Sequence, residues 1–110
     1  MNIKTILLDT LATKLADVDV NKIVLAFNLK KETYTVMANT ATNKPINFEI
    51  SEAEISTIKA IFIRRIVNAW KAENNKEAYA IYIDIDLQNK EINLYMQNED
   101  NGKLFKFDYL

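Results

Sequence analysis

Residues 79–97, YAIYIDIDLQNKEINLYMQ, decide the fold. Apolar side chains at Ile81, Ile83 and Ile85 alternate with polar ones, which is the two-residue period of a β-strand. The polar residues 88–91 form a turn, and the alternation resumes at Ile92, Leu94 and Met96. The stretch therefore predicts an antiparallel hairpin with one apolar and one polar face.

The rest of the chain extends this pattern in both directions. Period-two segments predict further strands at 20–29, 34–39, 46–50 and 105–109, and helical periodicity predicts helices at 3–16 and near 52–72. We expect one domain over 1–110 of the α+β class, ordered α-β-β-β-α-β-β-β. Both helices are expected on one face of a mostly antiparallel sheet.

The second predicted helix has the clearer boundaries. Ser51 and Glu54 have the spacing of a capping box, in which the Ser51 hydroxyl accepts a hydrogen bond from the amide of Glu54. Ile61, Ile63 and Val67 lie outside the main apolar stripe. We therefore expect this helix, including Trp70 in its stripe, to be buried on more than one side.

The order of elements also repeats. A shift of 58 residues places Ile23 on Ile81 and Leu25 on Ile83, and both predicted first hairpins have four-residue turns. Two interpretations stay open: duplication of an α-β-β-β unit, or a chance likeness between two meanders with common loop lengths.

Composition excludes several classes of function. The chain has no cysteine and no histidine, so a Ser-His-Asp site, a Cys-His site and a thiolate metal site are impossible. Gly102 is its one glycine, which excludes a glycine-rich phosphate loop and a dinucleotide fingerprint. We expect no enzyme activity, no cofactor and no bound metal.

Charge and hydropathy restrict the partners and the location. The net charge is −1, without the basic excess of a nucleic-acid binder. The most apolar stretch, 55–70, is broken by Arg64 and Arg65, so no membrane span is expected. The N-terminus lacks the apolar core of a signal peptide. We expect a cytoplasmic protein that binds neither nucleic acid nor membrane.

The polar face of the C-terminal strands is the candidate site. Its two tyrosines suit a protein interface, and its aspartates are unusual in strands. The candidate partner-binding residues are Tyr82, Asp84, Asp86, Asn93, Tyr95, Gln97 and Asp108. A solvated sheet face is the alternative.

Asp84 and Asp86 also form a D-x-D pair on one strand face, about 7 Å apart. With Asp108 they could hold a divalent cation, as such pairs do in some transferases. No glycine-rich loop or basic phosphate clamp accompanies them, so a metal-dependent enzyme is only the third hypothesis.

The chain end Gly102-Lys103-Leu104-Phe105-Lys106-Phe107-Asp108-Tyr109 resembles the closing strand of YezG-type toxin-immunity proteins. The likeness covers the last third of the chain, and Asp108 lies one residue further from Gly102 than the family spacing. The resemblance implies a small cytoplasmic protein that neutralises a cognate toxin. The element order is also similar to that of type III secretion chaperones, which are small, acidic dimers.

The leading hypothesis is therefore a protein-binding inhibitor of the immunity or antitoxin kind. Residues 76–110 hold seven acidic and four basic residues, a net charge of −3, which favours a basic protein partner such as a toxin or effector. The alternative is a secretion-type chaperone or other interaction module, and a homodimer is compatible with either.

Overall fold

The computed structural model describes residues 5, 8–9, 20–46, 50–100 and 102–108. These residues form one long helix and six strands in a single antiparallel sheet of order β3-β2-β1-β4-β5-β6, which confirms the α+β class. The predicted first helix, 3–16, lies outside the described residues except at Thr5, Leu8 and Asp9. The strands are β1 (Lys22–Asn28), β2 (Thr33–Asn39), β3 (Pro45–Ile46), β4 (Ala80–Asp86), β5 (Glu91–Gln97) and β6 (Leu104–Lys106).

The two predicted meanders join through their first strands. β1 pairs antiparallel with β4 at the centre of the sheet, and Leu25 lies opposite Ile83. β2 and β3 extend the sheet on one side, and β5 and β6 extend it on the other. A single sheet face therefore runs across residues far apart in sequence.

The two hairpins have the same register. Lys22 pairs with Asn39 in the first and Ala80 with Gln97 in the second, so both partners are displaced by 58 residues (22 to 80 and 39 to 97). The next pairing departs by one residue. Ala38 pairs with Ile46, whereas Met96 pairs with Phe105. The first members of these pairs are therefore 58 positions apart, and the second members are 59 positions apart.

The turns of the two hairpins also correspond. Glu32 and Lys90, 58 positions apart, both have a left-handed backbone with φ of 54°. The amide of Leu29 donates to the carbonyl of Tyr79 over 2.9 Å, and the amide of Leu87 donates to the carbonyl of Asn21 over 2.8 Å. Each turn is therefore held against the start of the other meander by a matching hydrogen bond.

The long helix begins with the predicted cap. The Ser51 hydroxyl accepts from the Glu54 amide at 3.2 Å, as expected, and donates to the Glu54 carboxylate at 2.7 Å. The chain is α-helical over Glu52–Ile58, π-helical over Lys59–Ile63 and α-helical again over Arg64–Asn74. Asn75 ends the helix in a left-handed conformation.

The π turn keeps apolar residues with a four-residue spacing on the sheet side of the helix. Ile58, Phe62, Ile66 and Trp70 recur every four residues, and all four are buried. In an α-helix each four-residue step rotates the side chain by about 40°, so Trp70 would lie about 120° from Ile58. The π-helical segment, with its wider turn, takes up this drift and keeps the four side chains on the sheet.

The core lies between the long helix and one face of the sheet. Ile81, Ile83 and Ile85 have at most 1% of their surface exposed. Ile63 is buried and both Ile61 and Val67 pack against the core, so the helix is buried on more than one side, as expected. The apolar side chains that line the core from the strands are Ile23, Leu25, Phe27, Ala38, Ile81, Ile83, Ile85, Ile92, Leu94 and Met96.

Trp70 closes the core at the β6 edge, which confirms its predicted packing role. Its indole Nε1 donates to the side-chain oxygen of Asn98 over 2.8 Å, and its ring meets Phe107 edge-on at 5.2 Å. Phe105 also approaches Trp70, at 6.1 Å, but remains 44% exposed because β6 is the edge strand.

Candidate functional site

The outward face, the sheet face opposite the long helix, carries the predicted site residues. Because Ile81, Ile83 and Ile85 point into the core, the residues between them point away from it. Tyr82 lies directly opposite Tyr95, and Asp84 lies opposite Asn93. The structure therefore brings these four side chains, all half-buried, together in two adjacent cross-strand rows.

The cross-strand row that holds the two tyrosines extends over five of the six strands, from β2 to β6. Tyr82 has Ala26 on its other side, and Ala26 lies opposite Thr35. Tyr95 pairs with Lys106 on the edge strand. The aromatic pair is therefore central, with small side chains on one flank and a cation on the other.

Gln97 lies at an outward position of β5, opposite Ala80, as the strand pattern predicts. Its side chain is only 8% exposed, and its Nε2 donates to the carbonyl of Gly102 over 2.9 Å. The reason for its burial is its place at the end of β5, where the chain turns back into β6. Gln97 therefore holds this turn with its side-chain amide.

Asp86 belongs to the face and also supports a turn. The backbone amide of Asn89 donates to one Asp86 carboxylate oxygen at 3.1 Å, and the Asn89 side chain donates to the other at 2.8 Å. These bonds, the backbone one most strongly, hold the pKa of Asp86 below its ordinary value, and Lys22 adds a smaller attraction. Lys22 is also the cross-strand partner of Asp86 on β1.

Asp108 lies just beyond β6 and is exposed. It lines a small crevice of about 30 Å³ together with Asn93 and Lys106. Among the residues that the structure describes, no three acidic side chains converge to hold a metal ion. Asp84, Asp86 and Asp108 are therefore not gathered into the three-carboxylate cluster that the metal hypothesis requires.

A hollow of about 310 Å³ opens on the outward face where β4 begins. Ala26 and Ala80 line it beside the larger Tyr82, and their short side chains leave the space. Lys31 and Asp100 lie at its rim with opposite charges. Sequence reasoning missed the hollow because β1 and β4 become neighbours only through their pairing. Alanines at outward positions of two central strands were the available signal.

Met37, on the outward face, is a further feature that sequence reasoning missed. It lies on the outward face of β2 with 53% of its surface exposed, opposite Val24. Val24 in turn neighbours Asp84 on β4. An apolar strip from the N-terminal meander therefore adjoins the polar residues of the C-terminal one.

Comparisons with protein-family models, with curated proteins and with solved structures find no match for this chain. Over the part of the chain that the structure describes, no helix is both long and apolar enough to cross a membrane. Function must therefore be inferred from the surface of the fold.

Proposed function

We propose that this chain is a non-catalytic protein-binding module of the immunity or antitoxin kind, which binds and neutralises a basic partner protein in the cytoplasm. The observation that carries the proposal is the directly opposed pair Tyr82 and Tyr95, flanked by carboxylates on the sheet face that the long helix leaves uncovered. The absence of cysteine supports a reducing compartment.

The tyrosine pair would supply the binding energy. Side chains directly opposite in an antiparallel pair have Cβ atoms about 4.5–5.5 Å apart, so Tyr82 and Tyr95 present neighbouring aromatic side chains to a partner. Tyrosine combines apolar area with a polar tip and is enriched among interface hot spots. Tyr82 and Tyr95 are both half-buried, each between two neighbouring strands, which limits the side-chain entropy that they would lose on binding.

The charge of the face supports a basic partner. Asp84 and Asp86 lie on β4, and Glu91 lies directly opposite Asp86 on β5. Together with Asp108 they are four of the seven acidic residues in 76–110. Such a surface raises the association rate of a positively charged protein at low salt.

The size of the face also fits. Four strands have seven residues each, about 24 Å at 3.4 Å per residue, and together they are about 19 Å wide at about 4.8 Å per strand, whereas β3 and β6 add only two and three residues. The resulting area of roughly 500 Å² is more than half of the roughly 800 Å² that each partner gives to a standard-size interface. Neighbouring turns would supply the remainder.

The finer architecture belongs to the same proposal. A first helix beside the long helix is supported by Leu8, which packs against the core on the helix side of the sheet. Duplication of an α-β-β-β unit is supported by the 58-residue shift that relates the two hairpin registers and the two left-handed turn residues, Glu32 and Lys90.

A dimeric secretion-type chaperone is the second candidate, and the β6 edge favours it. Leu104 and Phe105 expose 52% and 44% of their surfaces on a short edge strand. An open edge with apolar side chains can pair with a second copy. A homodimer that persists at micromolar concentration in ultracentrifugation and is lost in Phe105→Asp would favour the chaperone.

The experiment that tests the leading proposal starts with capture of a partner from the native host. The affinity of that purified partner is then measured for wild type, Tyr82→Ala and Tyr95→Ala. Each substitution should weaken binding by about 2 kcal/mol or more while leaving the unfolding midpoint nearly unchanged. Asp84→Asn should mainly slow association and reduce its salt dependence.

Tyr34→Ala is the matched control, because Tyr34 is a partly exposed tyrosine, 38%, on the helix side of the sheet. It should leave affinity intact. If Tyr82→Ala and Tyr95→Ala bind the partner as wild type does, while substitutions on the long helix abolish binding, the outward face is only solvated and the proposal is wrong.

A further inference from the structure

A second cavity lies on the helix side of the sheet, between the β1–β2 turn and the long helix. Its volume is about 500 Å³, within the range of small-molecule sites. Phe27, Leu29 and Ile63 give it an apolar floor, and Phe27 and Ile63 are almost fully buried. A ligand would cover the half-buried Leu29 and the small part of Phe27 and Ile63 that is still exposed, which removes apolar surface from water.

Two cations line the same cavity because of the π turn. The amide of Arg64 donates to the carbonyl of Lys59, five residues earlier, which places the two residues one above the other. In an uninterrupted α-helix, five residues rotate through about 500°, so these side chains would point about 140° apart. The π turn therefore creates a paired cationic edge beside an apolar floor.

Lys59 is held in place by an aromatic ring. Its Nζ lies 5.8 Å from the centroid of the Tyr34 ring, and that ring lies 6.5 Å from Phe27. Within the described residues, neither Lys59 nor Arg64 has a carboxylate at ion-pair distance. Both positive charges are therefore available to a ligand.

Glu32 limits the charge of that ligand. It lines the cavity at the end of the β1–β2 turn, so the lining carries two positive charges and one negative charge. Glu32 reduces the net charge of the lining to +1, so a monoanion neutralises the site, whereas a dianion leaves it with a net negative charge.

We propose that this cavity binds a small organic monoanion, such as a carboxylate or sulfonate with an aromatic or aliphatic body. The acid group lies between Lys59 and Arg64, and the apolar body covers Phe27, Leu29 and Ile63. This site is on the opposite side of the sheet from the tyrosine pair, so it is independent of the proposed partner-binding face.

The test uses two fluorescent probes with the same kind of aromatic body. The monoanion 8-anilinonaphthalene-1-sulfonate carries the acid group, and neutral N-phenyl-1-naphthylamine lacks it. The folded full-length chain should bind the sulfonate with one-to-one stoichiometry and at least about fivefold more tightly than the neutral probe. Lys59→Gln and Arg64→Gln should each weaken sulfonate binding roughly tenfold, the loss expected for one charge-assisted contact. Binding of the neutral probe should change less than twofold.

Arg65→Gln is the matched control, since Arg65 is the next residue, equally charged and exposed, and does not line the cavity. It should leave sulfonate affinity unchanged. Equal losses in Arg65→Gln and Arg64→Gln would reduce the effect to general attraction by surface charge and overturn the proposal.

A second measurement needs no variant. On titration of the wild-type protein with the sulfonate, the amide resonances of Leu29 and Ile63 should shift, and those of Tyr82 and Tyr95 should not. Shifts confined to the outward face, or absent altogether, would overturn the proposal even if a variant failed to fold.

Discussion

Replacing Ile83 with alanine is the sharpest test of the fold. Ile83 lies at the centre of the sheet, with Leu25 opposite it on β1 and Leu94 opposite it on β5. Its surface is 1% exposed, and both neighbours are buried. No surface loop can collapse into the space that the substitution leaves, so we expect one of the larger losses in the chain.

The magnitude follows from the atoms removed. Isoleucine to alanine deletes three carbon atoms, worth about 2.4 kcal/mol at about 0.8 kcal/mol each. The cavity left between two rigid strands adds to this, within the ~2–5 kcal/mol measured for such changes. We expect a loss of about 3–4 kcal/mol. A chain of 110 residues typically has a free energy of unfolding of about 5–16 kcal/mol, so the expected loss is a large share of the stability.

Urea unfolding followed by tryptophan fluorescence measures the loss, because Trp70 is buried in the folded state. The slope of the free energy of unfolding against urea concentration should stay constant, while the urea concentration at the midpoint falls. Ile83→Val should cost only ~0.5–1.5 kcal/mol. Met37→Ala is the control on the opposite face; with 53% of its surface exposed it should change stability by less than about 0.5 kcal/mol.

A loss below about 1 kcal/mol for Ile83→Ala, or a loss for Met37→Ala that equals it, would refute the reasoning. Either result would mean that β4 presents its isoleucines to solvent, and that Tyr82 and Asp84 point into the core. The candidate face would then be assigned to the wrong side of the sheet.

Three further predictions concern single side chains. Ser51→Ala should destabilise the protein by about 1 kcal/mol, because the amide of Glu54 loses its hydrogen-bond acceptor at the start of the long helix. Thermal unfolding measures this loss, and an unchanged midpoint temperature would contradict the capping role of Ser51. An NMR titration should find the pKa of Asp86 below its ordinary value and nearer to it in Asn89→Ala. Because the pKa of Asp86 is lowered by folding, the stability that Asp86 contributes is present above the pKa that it has in the unfolded chain. This stability is lost as pH falls through the pKa that Asp86 has in the folded chain. Calorimetry with Mg²⁺ or Mn²⁺ should detect no binding tighter than about millimolar; micromolar binding that Asp84→Asn abolishes would revive the enzyme hypothesis.

The four seven-residue strands could be predicted because each carries its own signal, whereas β3 (predicted at 46–50) and β6 (predicted at 105–109) are found at Pro45–Ile46 and Leu104–Lys106. Ile81, Ile83 and Ile85 alternate with polar residues, and one buried face fixes which residues point inward. The cap at Ser51 is equally local, since it depends on two residues three positions apart. Local patterns of this kind gave the class of the fold and placed Tyr82 and Asp84 on one face.

Other features depend on contacts between distant residues. The hollow beside Tyr82 requires Ala26 as a neighbour, which follows only from the pairing of β1 with β4. Gln97 lies on the outward face, but its hydrogen bond to Gly102 depends on the return of the chain into β6 and has no signal in the strand pattern. The π turn left a trace, the four-residue spacing from Ile58 to Trp70, but a straight helix buried on several sides would explain that spacing as well.

The central pairing also changes where the negative charge of the outward face lies. Lys22 is brought beside Asp86, and Asn89 donates two hydrogen bonds to the Asp86 carboxylate, so part of the interaction that Asp86 could offer a partner is used within the chain. Asp84, in contrast, lies between the apolar Val24 and the neutral Asn93. A basic partner would therefore meet its strongest attraction at Asp84, in the row next to the tyrosine pair. In the proposed complex, the charge that would steer the encounter and the aromatic area that would hold it adjoin each other at the middle of the sheet, where a partner could exclude water from both.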